Sequence, residues 1–591
     1  MTQATPIRVA TVPAALEPDD LDRLLHAAEG KWTLGLSPAS LWLAGLDWAI
    51  HLANAPQRRL KLTVDFLEQG LALMRIMGDA SEAVVAPPAD HRFSDPSWQK
   101  FPFNLVYQSF LLQERWWARA TSGTRGTDPA NERRVAFSAR QWLDMLSPSN
   151  LPWLNPEVIQ ATLESGGRNF SDGFANLVAD LSLIVHPADQ PDFTIGRDLA
   201  CTPGKVVLRN ALIELIQYSP LTPQVKAPPL LIVPAWIMKY YILDLSPGNS
   251  LIRTLVAQGF TVFCISWRNP DARQSELTLD DYRASGVMAA LDAVGAITGS
   301  DKVHACGYCL GGTLLTIAAA AMARDGDQRL ASVTLLAAQT DFTEAGELQL
   351  FISEGQLAFL EDVMWAKGTL SSGQMAGAFQ LLRSNDLIWS RMVKSYFLGR
   401  RDQPNDLMAW NSDATRMPFR MHAEYLRRMF LDNDLAEGRF PVGGRPVSID
   451  DISLPIFMVG TETDHVAPWR SVYKMTLLNK GDITFALTSG GHNGGIVNPP
   501  GSTKSEHWTL DHPRKDATAD EWRTSAERHA GTWWEDWAIW ADAHAGPLVA
   551  PANLPPGEPA PGHYVRNETA PPYNPLKRKA AARKPRAKKR A

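Results

Sequence analysis

"HACGYCLGGT", residues 304–313, holds two patterns at once. One is Gly-x-Cys-x-Gly, from Gly307 through Cys309 to Gly311. The other is Cys-x-x-Cys, Cys306 and Cys309. The run before it, "KVHAC" (302–306), reads as a strand, and "GGTLLTIAAAAMARDG" (311–326) reads as a helix ended by glycine. The chain must therefore turn sharply at Cys309. Glycines two residues either side let strand and helix approach closely around that turn. A side chain there points away from the sheet, at a helix N-terminus whose free N–H groups favour a thiolate. The N–H of Leu310 is placed to receive a developing oxyanion. By composition alone, Gly-x-Cys-x-Gly should occur roughly 0.02 times in a chain this long.

The Cys-x-x-Cys pattern raises a redox alternative, since thioredoxin-like folds also carry such a pair between strand and helix. Those domains are small and order their elements differently. Here Cys306 falls on the last residues of the strand, which predicts a buried, inert thiol. Four cysteines in 591 residues (Cys201, Cys264, Cys306, Cys309) make no disulfide framework and fit a reducing, cytosolic setting.

Strand and helix alternate outward from this turn. "PLLIVPA" (229–235), "FTVFCISW" (260–267), "ASVTLLAAQT" (331–340), "LPIFMVGTETD" (454–464) and "ITFALTSGGH" (483–492) read as strands. "NSLIRTLVAQG" (249–259) and "LDDYRASGVMAALDAVGAITG" (279–299) read as helices. The alternation predicts a parallel sheet covered on both faces. A nucleophile on such a turn needs an acid and then a histidine further along the chain. "GTETDHVAPW" supplies Asp464 just after one strand, and "TSGGHNGGIVNPP" supplies His492 just after the next. Both fall on loops at strand C-terminal ends, where such sheets build their sites. This is the pattern of an α/β-hydrolase fold with Cys309, Asp464 and His492 as catalytic residues. His465, beside Asp464, is either structural or site-lining.

Residues 1–195 read as a mainly helical N-terminal domain, with apolar residues at three- and four-residue spacing in "LEQGLALMRIMG" and "NLVADLSLIVH". Residues 196–546 carry the catalytic pattern. The strand rhythm stops over about 341–450, where helical and aromatic segments predict a lid inserted between two core strands. From Pro547 to the end, a proline-rich linker and a basic tail predict disorder. Nine Lys or Arg and no acid fall in 576–591, so the rest of the chain holds the acidic excess behind the net −5. Such a tail either touches nucleic acid, anionic lipid or an acidic protein surface, or simply aids solubility. No apolar run reaches the roughly 18 residues of a membrane span, and the first twenty residues show no secretory signal.

Seven stretches resemble the polyhydroxyalkanoate synthases: "GRDLACTPGKVVLRNALIELIQYSP", "MKYYILDLSPGNSL", "VFCISWRNPD", "GYCLGG", "WNSDATRMP", "GTETDHVAP" and "GTWWEDWAIW". The resemblance spans roughly residues 100–545. The single-chain size and helical N-terminal region are like the class I enzymes, with class II also compatible. It implies a cysteine acyltransferase that polymerises 3-hydroxyacyl-CoA, with 3-hydroxybutyryl-CoA the expected unit, into polyhydroxyalkanoate with release of CoA and no cofactor or metal. Cys309 would attack the thioester, His492 would act as base, and Asp464 would assist at the hydroxyl of the incoming unit. It further implies a homodimer, a growing polyester chain and granule surface as partners, granule-associated proteins, and no specific nucleic acid. Asp244 becomes a possible site-lining residue. The sequence departs from the family in two places. "PAWIMK" (234–239) replaces Pro-Pro-x-Ile-Asn-Lys, with Trp236 the candidate second oxyanion donor through its backbone. Asn493, Gly494 and Gly495 follow His492 in place of Ile-Ala-Gly. A cysteine thioesterase or polymer depolymerase of the same fold, and a non-catalytic granule scaffold, are the competing readings.

Overall fold

Short apolar runs between residues 204 and 488 pair into one large sheet, because strands apolar on both faces need cover on both sides. The computed structural model describes residues 18–33, 35–78, 90–185, 193–502, 505–510 and 516–568. The main sheet's strands are β1 (Gly204–Arg209), β2 (Ile213–Tyr218), β3 (Leu230–Val233), β4 (Val262–Trp267), β5 (Val303–Tyr308) and β6 (Leu330–Leu336). They continue as β7 (Ile456–Thr461), β8 (Ile483–Thr488), β9 (Glu506–Thr509), β10 (Glu527–Ala530) and β11 (Glu558–Pro559). The spatial order is β10-β9-β8-β7-β6-β5-β3-β4-β2-β1-β11.

The parallel sheet expected from the alternation is confined to the centre. β8, β7, β6, β5, β3 and β4 run parallel, while the strands beyond β8 and β4 pair antiparallel. The cause at one edge is local. The Asn210 side chain accepts from the N–H groups of Leu212 and Ile213, both at 2.8 Å, and this Asx turn folds β2 back on β1.

Register places the site. β5 pairs with β3 and β6 so that Val233 lies opposite Gly307 and Tyr308 opposite Leu336. The chain therefore leaves β3, β5 and β6 at one level. Thr461 and Thr488 end β7 and β8 side by side, so the loops carrying Asp464 and His492 emerge together on that edge.

Between β6 and β7 lie helices Glu354–Trp365, Ser372–Leu382, Asp406–Ser412 and Phe419–Tyr425, the last running into a π-helical turn at Leu426–Leu431. The N-terminal helices pack on this insertion. In helix Pro18–Trp32, His26 Nδ1 meets Asp362 Oδ2 at 2.8 Å. Arg134 donates to the carbonyls of Leu350 and Ile352, and Asn169 donates to that of Phe397. Both amide ends of Gln356 are used here, its oxygen by Ser37 N–H at 2.7 Å and its nitrogen on the Gly35 carbonyl at 2.6 Å.

Residues 547–568 are not the linker that their proline content suggested. β11 pairs with β1, Tyr564 and Val565 are buried, and the N–H groups of His563 and Tyr564 donate to Glu214 at 2.9 Å. Glu214 also accepts from the buried Arg209 guanidinium, which reaches Glu558 as well. Proline at a sheet edge costs no ladder bond, which is why composition misled. The basic run of 576–591 lies outside the described residues. Among the described residues, no helix is long and apolar enough to cross a membrane.

Candidate active site

Cys309 sits between β5 and helix Leu310–Asp325 with φ 51° and ψ −126°, a conformation that L side chains rarely adopt. The strain is held from both sides. Its N–H donates to Leu336 at 2.9 Å, and its carbonyl accepts from Gly312 at 2.9 Å and Thr313 at 3.2 Å. The glycines are required by close approach. A Cβ on Gly311 would lie 2.1 Å from the Val233 carbonyl, one on Gly307 would lie 2.4 Å from Gly312 Cα, and one on Gly312 would lie 2.4 Å from Ala338 Cβ. Cys306 is fully buried within β5, and burial pushes its thiol up, away from reactivity. All four cysteines are free thiols.

Asp464 follows β7 and is buried. Its carboxylate accepts from Thr461 Oγ1 at 2.6 Å, from the N–H groups of Val466 at 2.8 Å and Ala467 at 2.9 Å, and from His492 Nδ1 at 2.8 Å. Burial alone would raise this acid, but the His492 charge and these hydrogen bonds together hold it below the ordinary carboxylate range. His492 rides on a loop closed by glycines, in which Gly495 N–H donates to Gly491 at 2.8 Å. Trp533 and Trp534 donate to the carbonyls of Gly495 and Ile496, so the "GTWWEDWAIW" stretch pins this loop from below. The imidazole side chain is only 10% exposed. Burial alone would lower it, but the charge of Asp464 and then that of Cys309 raise it well above the ordinary histidine range.

The departure after His492 has a local purpose. Tyr308 Oη donates to Asn493 Oδ1 at 2.7 Å, and the Tyr308 ring lies 5.7 Å from that of His492. The residue before Cys309 is therefore tied to the residue after His492. The "PAWIMK" loop is tied to "WNSDATRMP": Thr415 donates to the Trp236 carbonyl at 2.7 Å, and Trp410 to that of Lys239 at 2.8 Å. The Trp236 ring packs on Trp267 and Tyr282, and its neighbour Ile237 faces the cavity.

That cavity, about 120 Å³, is lined by Cys309 and Leu310, by Ile237 and Ala337 at the strand ends, and by apolar side chains of the insertion such as Phe342 and Leu426. Gly35 and Leu36 of the N-terminal region complete the wall. Asp244 is absent from it. That carboxylate is buried elsewhere, accepting from Thr202 Oγ1 at 2.5 Å and Ser250 Oγ at 2.7 Å, so it braces the chain after β3. His465 is half-buried beside Asp464, with its carbonyl close to Gly346 at the start of the insertion; burial lowers it below the ordinary histidine range. His422 and Tyr425, which no sequence pattern singled out, also line the cavity. Only the folding of the insertion over the sheet brings them there.

A cysteine on a strained strand–helix turn, followed in chain order by an acid and a histidine that bond each other, defines an α/β-hydrolase. The family model described as alpha/beta hydrolase fold matches residues 228–499. Among solved structures, a monoacylglycerol lipase of Paleococcus ferrophilus is 14% identical, covering 46% of this chain and 88% of that one, with TM-score 0.29. Two further models match, "Poly-beta-hydroxybutyrate polymerase (PhaC) N-terminus" over 89–255 and "Poly-beta-hydroxybutyrate polymerase N terminal" over 17–58. A poly(3-hydroxyalkanoate) polymerase of Methylorubrum extorquens is 42% identical over 88% of each chain. A poly(3-hydroxyalkanoate) polymerase subunit of Cupriavidus necator is 36% identical over 89% of this chain and 92% of that one. The chain belongs to the poly(3-hydroxyalkanoate) polymerase family, whose members are acyltransferase-type synthases.

Proposed function

We propose that this enzyme polymerises 3-hydroxyacyl-CoA, with 3-hydroxybutyryl-CoA the preferred unit, by covalent acyl transfer through Cys309. The observation that carries this reading is the 2.8 Å His492–Asp464 bond beside Cys309, at the wall of an apolar cavity. His492 takes the Cys309 proton, and the sulfur attacks the thioester carbonyl. The oxyanion that forms faces the N–H of Leu310, at a helix N-terminus whose first N–H groups have no partner within the helix; the backbone N–H of Trp236 is the second donor we assign. Collapse expels CoA, which takes the proton from His492 and leaves an acyl-cysteine. The 3-hydroxyl of a second unit then attacks that acyl group with the help of Asp464; its proton passes through His492 to the sulfur as the acyl–sulfur bond breaks, which frees the Cys309 thiol and leaves an ester one unit longer, still joined to CoA. An apolar cavity holds little water to intercept the acyl-cysteine, which favours transfer over hydrolysis. A volume near 120 Å³ suits one small acyl unit, close in scale to a cavity that holds a single benzene-sized guest.

Residues 1–195 serve as the helical domain and 341–450 as the lid. The helices Pro38–Ala53 and Pro56–Gly78 expose Trp42, Leu43, Leu67 and Met74, which suits a chain held in the cytoplasm at a polyester granule surface. A homodimer and granule-associated proteins complete the reading. The test is incubation with C4 and C8 3-hydroxyacyl-CoA, following CoA release and turbidity. Turbidity with the C4 substrate supports it. CoA release with only free 3-hydroxy acid identifies a thioesterase and refutes polymerisation.

A further inference from the structure

The cavity beside Cys309 is apolar, and its polar lining groups are almost all engaged by the protein. Thr313 donates to the Gln339 carbonyl at 2.8 Å, and the Gln339 amide donates to Ser471 at 3.0 Å. Gln356 is spent on Gly35 and Ser37, and the Gln374 oxygen accepts from Ser371 at 2.8 Å. Two lining side chains differ. His422 and Tyr425 are only 4% and 8% exposed, and neither has a hydrogen-bond partner among the described residues. The Nδ1 of His422 is buried and unpaired. Leaving such a group unsatisfied disfavours the folded chain until a partner is supplied.

Both residues project from helix Phe419–Tyr425, three positions apart and so on one face. Their rings lie 6.3 Å apart at 31°. We propose that His422 and Tyr425 form a contact pair that reads the 3-oxygen of the acyl unit carried by Cys309. This rests on the polymerase reading above and adds which residues recognise the hydroxyl. Their protonation suits the task. Burial lowers His422 to about 4, so its ring is neutral and offers one N–H and one lone pair. Burial, with Cys309 adding, lifts the Tyr425 phenol well above its ordinary range, so it stays a donor. A hydroxyl bound here donates to the imidazole and accepts from the phenol, and an ester oxygen accepts from the phenol alone. A plain acyl chain leaves both groups unpaired, which is the basis on which a site rejects an analogue lacking a hydroxyl.

The experiment compares 3-hydroxybutyryl-CoA with butyryl-CoA as single-turnover acyl donors to the full-length enzyme, reading CoA release and the mass of the acyl-enzyme. The pair predicts that His422→Leu and Tyr425→Phe each narrow the preference for the hydroxylated thioester roughly tenfold, one hydrogen bond's worth. His422→Gln should recover part of it. An equal fall with both thioesters, or an unchanged ratio, overturns the proposal. Should His422→Leu fail to fold, Tyr425→Phe, which removes one oxygen and keeps the ring, decides alone. Wild-type enzyme that releases CoA from neither thioester overturns the polymerase reading and this pair with it.

Discussion

Replacing Asp464 with asparagine separates the two proton transfers of the proposed cycle. The carboxylate accepts four hydrogen bonds, two from backbone N–H groups, one from Thr461 and one from His492. Asparagine keeps the first two through its oxygen and turns its NH2 toward Thr461 and His492. The 2.8 Å charge-assisted bond to the imidazole is then lost, and such bonds contribute about 1.5–3 kcal/mol. Acylation of Cys309 should slow by roughly 10- to 150-fold, because a thiol is far more acidic than an alcohol and depends less on the acid. Elongation removes a proton from an alcohol and should suffer like a serine triad given the same change, by about 10,000-fold. A single-turnover assay with labelled 3-hydroxybutyryl-CoA should therefore show one stoichiometric release of CoA, then near silence. His492→Gln should fail at both steps. No burst from the Asp464→Asn enzyme would mean that Asp464 is needed for acylation and that the division of labour is wrong.

Cys309→Ala should abolish CoA release in a folded protein, whereas Cys306→Ala, deleting one buried sulfur, should cost only about 1 kcal/mol of stability and little activity; comparable losses would revive the redox alternative. Ending the chain at Pro571 keeps every described contact of 547–568 and should leave turnover intact. Ending it at Pro547 removes Tyr564 and three donors or acceptors from Arg209 and Glu214, costs about 3 kcal/mol or more, and should show as a clear fall in melting temperature. His304 and His422 are both lowered by burial to about 4, against about 6.5 in an unfolded chain. The unfolded state thus binds more protons between pH 6.5 and 4, so stability should fall as pH drops through that window. Denaturant midpoints measured across it should flatten in His304→Gln, and an unchanged slope would show that other groups set the acid limit.

Much of the fold was legible because the central strands are apolar on both faces and punctuated by glycine or a helical period, as at 230–233, 262–267 and 303–308. The edge strands were not. β9 and β10 include Glu506, His507, Arg528 and His529, and polar edge strands leave no apolar run to find. Asp464 and His492 could be read because chain order and strand ends confine them. Asp244 could not be placed, since its partners Thr202 and Ser250 lie on segments joined only by tertiary folding. His422 and Tyr425 reach the cavity through the packing of the insertion on the sheet, for which a single sequence carries no periodic signal. The Asn493 departure became intelligible only when Tyr308 was seen to bond it.

The wall of the cavity has a consequence for anyone recombining this enzyme with its relatives. Gly35 and Leu36 stand in that wall, and Gln356 of the insertion grips the same turn with both ends of its amide. A crossover at residue 195 therefore does not exchange an accessory module. It replaces part of the cavity wall beside Cys309 and mismatches the clasp that holds it. A chimera that inherits residues 18–37 together with 346–431 from one parent keeps wall and clasp matched, and the sheet beneath can come from the other.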